Sequence, residues 1–103
     1  RLIWGGAAVK AAEALALGLA DEVVGDDEIL DRACALAAGY AAGPRVAIRA
    51  AKRAIDGGVD MTLADGVDLE LELFLEVFET NDARVGVESF FEHGPGKAHF
   101  TGS

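Results

Sequence analysis

Leu63-Ala64-Asp65-Gly66-Val67-Asp68-Leu69-Glu70-Leu71-Glu72-Leu73-Phe74-Leu75-Glu76-Val77-Phe78 is the stretch that decides how this chain folds. Placed on a helical wheel at roughly 100° per residue, Asp65, Asp68, Glu72, Glu76 and the following Glu79 fall in one narrow sector. Almost everything else is apolar, and the apolar arc takes up roughly two thirds of the circumference, where an ordinary surface helix needs only ~100° or somewhat more. A helix of this kind must be covered on more than one side. The other helical segments are short and rich in Ala, with little bulk to cover it. The expected cover is therefore another domain or another subunit; the alternative is a central helix in a compact bundle. If Phe74 is fully buried, its replacement by Ala costs ~3–5 kcal/mol.

Glu70 departs from the pattern, because the wheel places it between Phe74 and Val77, inside the apolar arc. A buried carboxylate needs a partner. Lys52, Arg53 and Arg84 are the candidates, and a structural ion pair between Glu70 and Lys52 is the expectation, in preference to a catalytic role.

Outward from this helix the spacing of apolar residues stays helical, and strand-like alternation is nearly absent, so the chain reads as all-α. A first helix is predicted over 8–17, closed by Gly18 as a left-handed stop. A short extended connector, 19–24, carries Val23-Val24, the only plausible strand material. Asp26 and Asp27 suit the free N–H groups of a second helix reaching about Ala41. Pro44 fits the first position of a third helix that ends at Gly57-Gly58. Thr62 and Asp65 resemble a capping box in front of the acidic and apolar helix. Asn81 or Thr80 caps a fifth helix, 82–91, and residues 92–103 form an irregular strap.

The chain has 103 residues, 51% of them hydrophobic, and a formal net charge of −9. That charge repels phosphate backbones and argues against nucleic acid as a partner. Its single cysteine, Cys34, rules out an internal disulfide framework and reads as a small buried hydrophobe in an Ala-rich helix. No apolar run approaches the ~20 residues of a membrane span, and no signal-peptide pattern opens the chain. A cytoplasmic protein is expected. The opening Arg-Leu-Ile-Trp has no cap before it, which leads us to expect further sequence upstream.

Motifs that would carry chemistry are missing. Gly94-Pro95-Gly96-Lys97 lacks the earlier glycine of a phosphate-binding loop, since Phe91 stands there, and Ala98 replaces the Ser or Thr. His99 occupies the third glycine position of a dinucleotide fingerprint. His93 and His99 have no metal-ligand spacing, and we expect no metal site. Arg45, Arg49, Lys52 and Arg53 make one basic stripe on the third helix. It reads as a solvated face balancing the acidic one, or as a landing strip for an anionic, phosphate-bearing ligand.

Taken in order, the residues resemble a known family. Leu2 to Ala14, ending in Gly18-Leu19-Ala20, is similar to the crotonase segment in which an L-x-L-T-G turn leads into I-x-A-x-E-A and then G-L-V. Val23-Val24 follows as the family's V-V. Ala37, Pro44 and Lys52 fall on its next helices. Leu69-Glu70, Phe74, Phe78, Thr80, Asp82, Gly86 and Phe90 match L-E-x-x-x-F-x-x-x-F-x-T-x-D-x-x-x-G-x-x-A-F, and Phe100-Thr101-Gly102 matches the closing F-x-G.

The resemblance to the crotonase (enoyl-CoA hydratase/isomerase) family implies a spiral ββα core. Residues 1–25 would be its end and a connector, and 26–103 a helical C-terminal region that mediates trimerisation, often as a dimer of trimers. It implies an acyl-CoA thioester substrate, with coenzyme A as part of that substrate and no separate cofactor. Two backbone N–H groups would stabilise the thioester enolate, and one or two Glu would handle proton and water. All of these precede Arg1, so no catalytic residue is expected in this chain. The resemblance places Phe74 and Phe90 near the CoA or acyl part. A family Lys that contacts the CoA phosphates is replaced by His93, and Lys97, in a slightly longer tail, is its substitute. Enoyl-CoA hydratase is the favoured activity of the parent. Isomerase or hydrolase chemistry, or a non-catalytic helical oligomerisation module, are the alternatives.

Overall fold

A computed structural model describes residues 2–103, and every regular element among them is helical. In chain order these are α1 (Leu2–Gly5), α2 (Ala11–Ala16), α3 (Ile29–Ala41), α4 (Arg45–Gly58), α5 (Leu63–Phe78) and α6 (Asn81–His93). The all-α expectation holds. The residues form two compact units, one ending at Cys34 and the other spanning Ala35–Ser103.

In the first unit, α1 is a single turn that the sequence did not announce. Helix α2 begins at Ala11 rather than Ala8; the residue before it, Lys10, is extended and makes no side-chain cap. Its end is as expected. Gly18 has a φ of +71°, and Leu19 N–H donates to Ala14 O at 2.9 Å while Gly18 N–H donates to Leu15 O at 3.1 Å. That pair of bonds is the Schellman closure. Val23 and Val24 form no strand. Asp26 and Asp27 sit in a turn before α3, which Glu28 closes by accepting from Gly25 N–H at 3.3 Å. An ion pair from Arg32 to Glu22 ties the connector to α3. The hydrogen bond from Arg32 holds the Glu22 carboxyl below its ordinary value, against partial burial and with a further contribution from the Arg32 charge. Cys34 is exposed, not buried, since α3 contains no buried residue.

The second unit is built on α4 against α5. Pro44 stands one place earlier than predicted, as the N-cap of α4. Alanines at 47, 50, 51 and 54 share a face by their i, i+3, i+4, i+7 spacing, and Ala50 is buried where that face meets buried Leu73 of α5. Thr62 caps α5 as predicted: its hydroxyl accepts from Asp65 N–H at 3.2 Å and donates to the Asp65 carboxylate at 2.7 Å. Thr80, not Asn81, caps α6. Its hydroxyl accepts from Ala83 N–H at 3.1 Å and donates to Val77 O at 2.6 Å, so one side chain clips the end of α5 to the start of α6.

Among the described residues only Ala50, Leu73 and Asp82 are buried. Helix α5 is therefore not the sealed centre of a bundle. Leu63 is 85% exposed and Phe74 55%, so Phe74 is not buried within this chain. Thr80→Ala removes a cap and the clip to Val77 together. We expect it to lower the unfolding free energy in a urea titration by about 1–2 kcal/mol, while Thr80→Ser, which keeps the hydroxyl, retains most of the stability.

Candidate functional site

The best-organised polar cluster is the anchor of the C-terminal strap. Asp82 lies in the first turn of α6 and is only 2% exposed. One carboxylate oxygen accepts from Thr101 N–H at 2.8 Å and from the Thr101 hydroxyl at 3.2 Å; the other accepts from Gly102 N–H at 2.7 Å. The backbone N–H of Asp82 donates to Ser103 O at 2.9 Å, which closes the ring of bonds. Burial by itself pushes the Asp82 carboxyl up. The amides of Thr101 and Gly102, the Thr101 hydroxyl and the Ser103 backbone outweigh it, and the carboxyl lies below its ordinary value of 3.8.

Arg45 of α4 completes the anchor by donating to Thr101 O at 2.8 Å. Gly102 has a φ of +80°, and a Cβ there would collide with the Arg45 guanidinium. Glycine is needed at 102 for both reasons. Phe100 lies against Gly86, where an added Cβ would stand 3.4 Å from its ring. The Phe-Thr-Gly ending is thus one structural unit: ring, clamped amide, close-packed glycine.

Held in this way, the strap walls a cleft of about 410 Å³ with α6 and the end of α3. Phe90, Ser89, Pro95 and Phe100 line it. The Ser89 hydroxyl is buried there without a hydrogen-bond partner among the described residues. Phe74 belongs elsewhere. It lines a cleft of about 340 Å³ along the α4–α5 seam, with its ring 4.7 Å from that of Phe78. His93 and Lys97 are both exposed, His93 at the end of α6 beside Glu92 at 3.6 Å and Lys97 on the strap. Of the four residues expected near a ligand, Phe90, His93 and Lys97 belong to α6 and the strap, and Phe74 to a separate cleft.

The Glu70–Lys52 pair is not formed. The Lys52 ammonium is taken by Asp56, one turn along its own helix, at 2.7 Å, and Glu70 is exposed. The basic stripe is divided in the same way. Arg53 reaches across to Glu76 of α5 at 3.3 Å and Arg45 holds the strap, which leaves Arg49 as its one member without an ion pair or hydrogen bond among the described residues. Balancing the acidic face accounts for Arg53 alone. Two residues escaped the sequence reading. Asp82 appeared only as the first residue of the fifth helix and as a position of the family pattern, although a Thr-x-Asp start paired with a distant Thr-Gly end is a usable signal. Nothing around Ser89 marks its hydroxyl as buried.

The fold and the comparisons agree on a class. The chain superposes on the helical part of crotonase-fold enzymes. Against a solved structure of enoyl-CoA hydratase subunit I from Geobacillus kaustophilus the TM-score is 0.85 at 32% identity, covering 97% of this chain and 38% of that one. The pattern of the enoyl-CoA hydratase/isomerase family matches residues 1–103, and the chain belongs to that family. A probable enoyl-CoA hydratase of Mycolicibacterium paratuberculosis is 40% identical over 77 residues, 75% of this chain and 30% of that protein. A short-chain enoyl-CoA hydratase of Clostridioides difficile is 36% identical over 89 residues, 86% of this chain and 57% of that protein. The chain thus spans between about a third and a little over half of these relatives. No helix among the described residues is long and apolar enough to cross a membrane.

The clamp predicts a pH dependence. The folded Asp82 carboxyl binds a proton less readily than the unfolded one, so its stabilisation is complete above the ordinary value of 3.8 and is lost as pH falls through the lower folded value. We expect Asp82→Asn to lower the thermal midpoint at neutral pH, to flatten its acid dependence below about pH 4, and to abolish hydrogen-exchange protection of the Thr101 and Gly102 amides. Unchanged protection in the variant would contradict the clamp.

Proposed function

We propose that these helices are the C-terminal part of an acyl-CoA-processing enzyme, an enoyl-CoA hydratase that adds water across a 2,3-enoyl-CoA thioester. The catalytic core, with its oxyanion donors and acid–base carboxylates, is supplied by other sequence. The helices contribute assembly, as a trimer or a dimer of trimers, and one wall of the CoA and acyl site. The observation that carries this reading is the uncovered face of α5, where Leu63, Leu71, Phe74 and Phe78 are each more than half exposed. An apolar patch of that kind marks a surface that is buried in an assembly. Family membership directs the assembly toward acyl-CoA chemistry.

In this reading the strap cleft beneath Phe90 takes the CoA or acyl part. Lys97 and His93, exposed neighbours in sequence of its lining residues Gly94, Gly96 and Ala98, are assigned to the phosphates, and coenzyme A enters only as part of the substrate. Neither nucleic acid nor membrane is a partner, and the location is the cytoplasm. Isomerase or hydrolase activity on the same scaffold is distinguished by the product formed. The uncovered α5 face also favours a second reading, a non-catalytic helical module that assembles with itself.

Crotonyl-CoA turnover and sedimentation together decide between them. We expect no turnover from the 103-residue chain alone, and turnover from an oligomer that includes the core. Turnover by the chain alone would overturn the assignment of catalysis to other sequence. A monodisperse oligomer of the chain, inactive with or without that core, would favour the module. We expect Phe74→Ala to cost the assembled enzyme ~3–5 kcal/mol and the isolated chain less than about 1 kcal/mol.

A further inference from the structure

Among the described residues Glu70 has no partner, and each of the three cations that could have served is committed elsewhere. Lys52 is held by Asp56 at 2.7 Å, Arg53 by Glu76 at 3.3 Å, and Arg84 by Glu88 at 3.0 Å and Asn81 at 2.7 Å. Glu70 itself makes no hydrogen bond or ion pair among the described residues. Yet it stands on a largely apolar seam. Two adjoining clefts, of about 340 and 280 Å³, run along the α4–α5 seam and share Ala54, Ile55 and Glu70. No other charged residue lines either one. Ile55 is 68% exposed on one side of the carboxylate and Phe74 55% on the other.

Water solvates Glu70 in this chain. A partner that covers Ile55, Val67 and Phe74 removes that water, and an ionised carboxylate without donors is then strongly unfavourable. We infer that the segment seated in this groove carries one cationic side chain, an arginine, aimed at Glu70. Arginine fits on two counts. Its planar fork bonds a carboxylate in bidentate fashion, and its apolar stem can lie along the Ala-lined seam. The inference rests on the reading that α5 is covered in the assembled enzyme, and it commits the occupant to a segment of the catalytic core that the longer relatives carry beyond the matched part. It adds what that reading leaves open: the chemistry at the centre of the contact.

Glu70→Leu, Glu70→Lys and Phe74→Ala, each made in the enzyme assembled with its core, test it by thermal midpoint and sedimentation, with crotonyl-CoA turnover as a further readout. An orphaned arginine makes Glu70→Leu destabilising, by on the order of 10 °C in midpoint, and Glu70→Lys dissociates the assembly by placing like charges together. If Glu70→Leu equals or exceeds the wild-type midpoint while Phe74→Ala destabilises, the groove is covered by a purely apolar segment; the inference falls and the functional reading stands. If both Glu70→Leu and Phe74→Ala are silent, nothing covers α5, and both fall together.

Discussion

Everything in this fold answers to the circumference of α5. Apolar side chains occupy most of its surface, but a single neighbour, α4, packs along it, and α4 offers mainly alanines. Small side chains allow close approach and bury little area, so only Leu73 of α5 is withdrawn from water. Burial of apolar area is the dominant favourable term in folding. By that measure α5 has a large share of its stabilisation still to gain, and can gain it only from a surface outside these residues. That unburied apolar surface is the physical ground for proposing a partner.

Around this unfinished core, polar chemistry holds the helices in place. Thr62 and Thr80 each use one hydroxyl as both acceptor and donor at a helix start. Asp82 and Arg45 grip the strap from two different helices. These bonds fix the α5–α6 corner and the path of the C-terminal residues without any large apolar core. They leave the apolar face of α5 free and give the strap cleft a defined wall.

Much of this was legible in the residues. The Gly18 stop, the Thr62 cap and the ends of α4 and α5 depend on local backbone chemistry, which sequence encodes directly. Helix starts were less legible where no capping side chain exists, as at Lys10, or where a turn competes, as at Asp26 and Asp27. The isolated turn α1 carries no local signal. The largest misreading was the Glu70–Lys52 pair. A helical wheel assigns Glu70 to the apolar arc correctly, but it cannot show that Lys52 prefers Asp56, one turn away on its own helix. Cys34 was misread for a related reason: apolar neighbours in sequence imply burial only when something packs over them. Asp82 was undervalued because its donors lie 19 and 20 positions further along the chain.

Membership of the enoyl-CoA hydratase/isomerase family gives the exposed surface a context, since relatives extend well beyond the part matched here. The central claim, that α5 is built to be covered, is tested most directly by amide hydrogen exchange along Leu63–Phe78, measured in the 103-residue chain and in the enzyme that contains its core. The account predicts weak protection in the chain alone and exchange slower by about 100-fold or more in the assembled enzyme. Equal protection in the two would show that α5 is already complete without a partner, and would contradict the account.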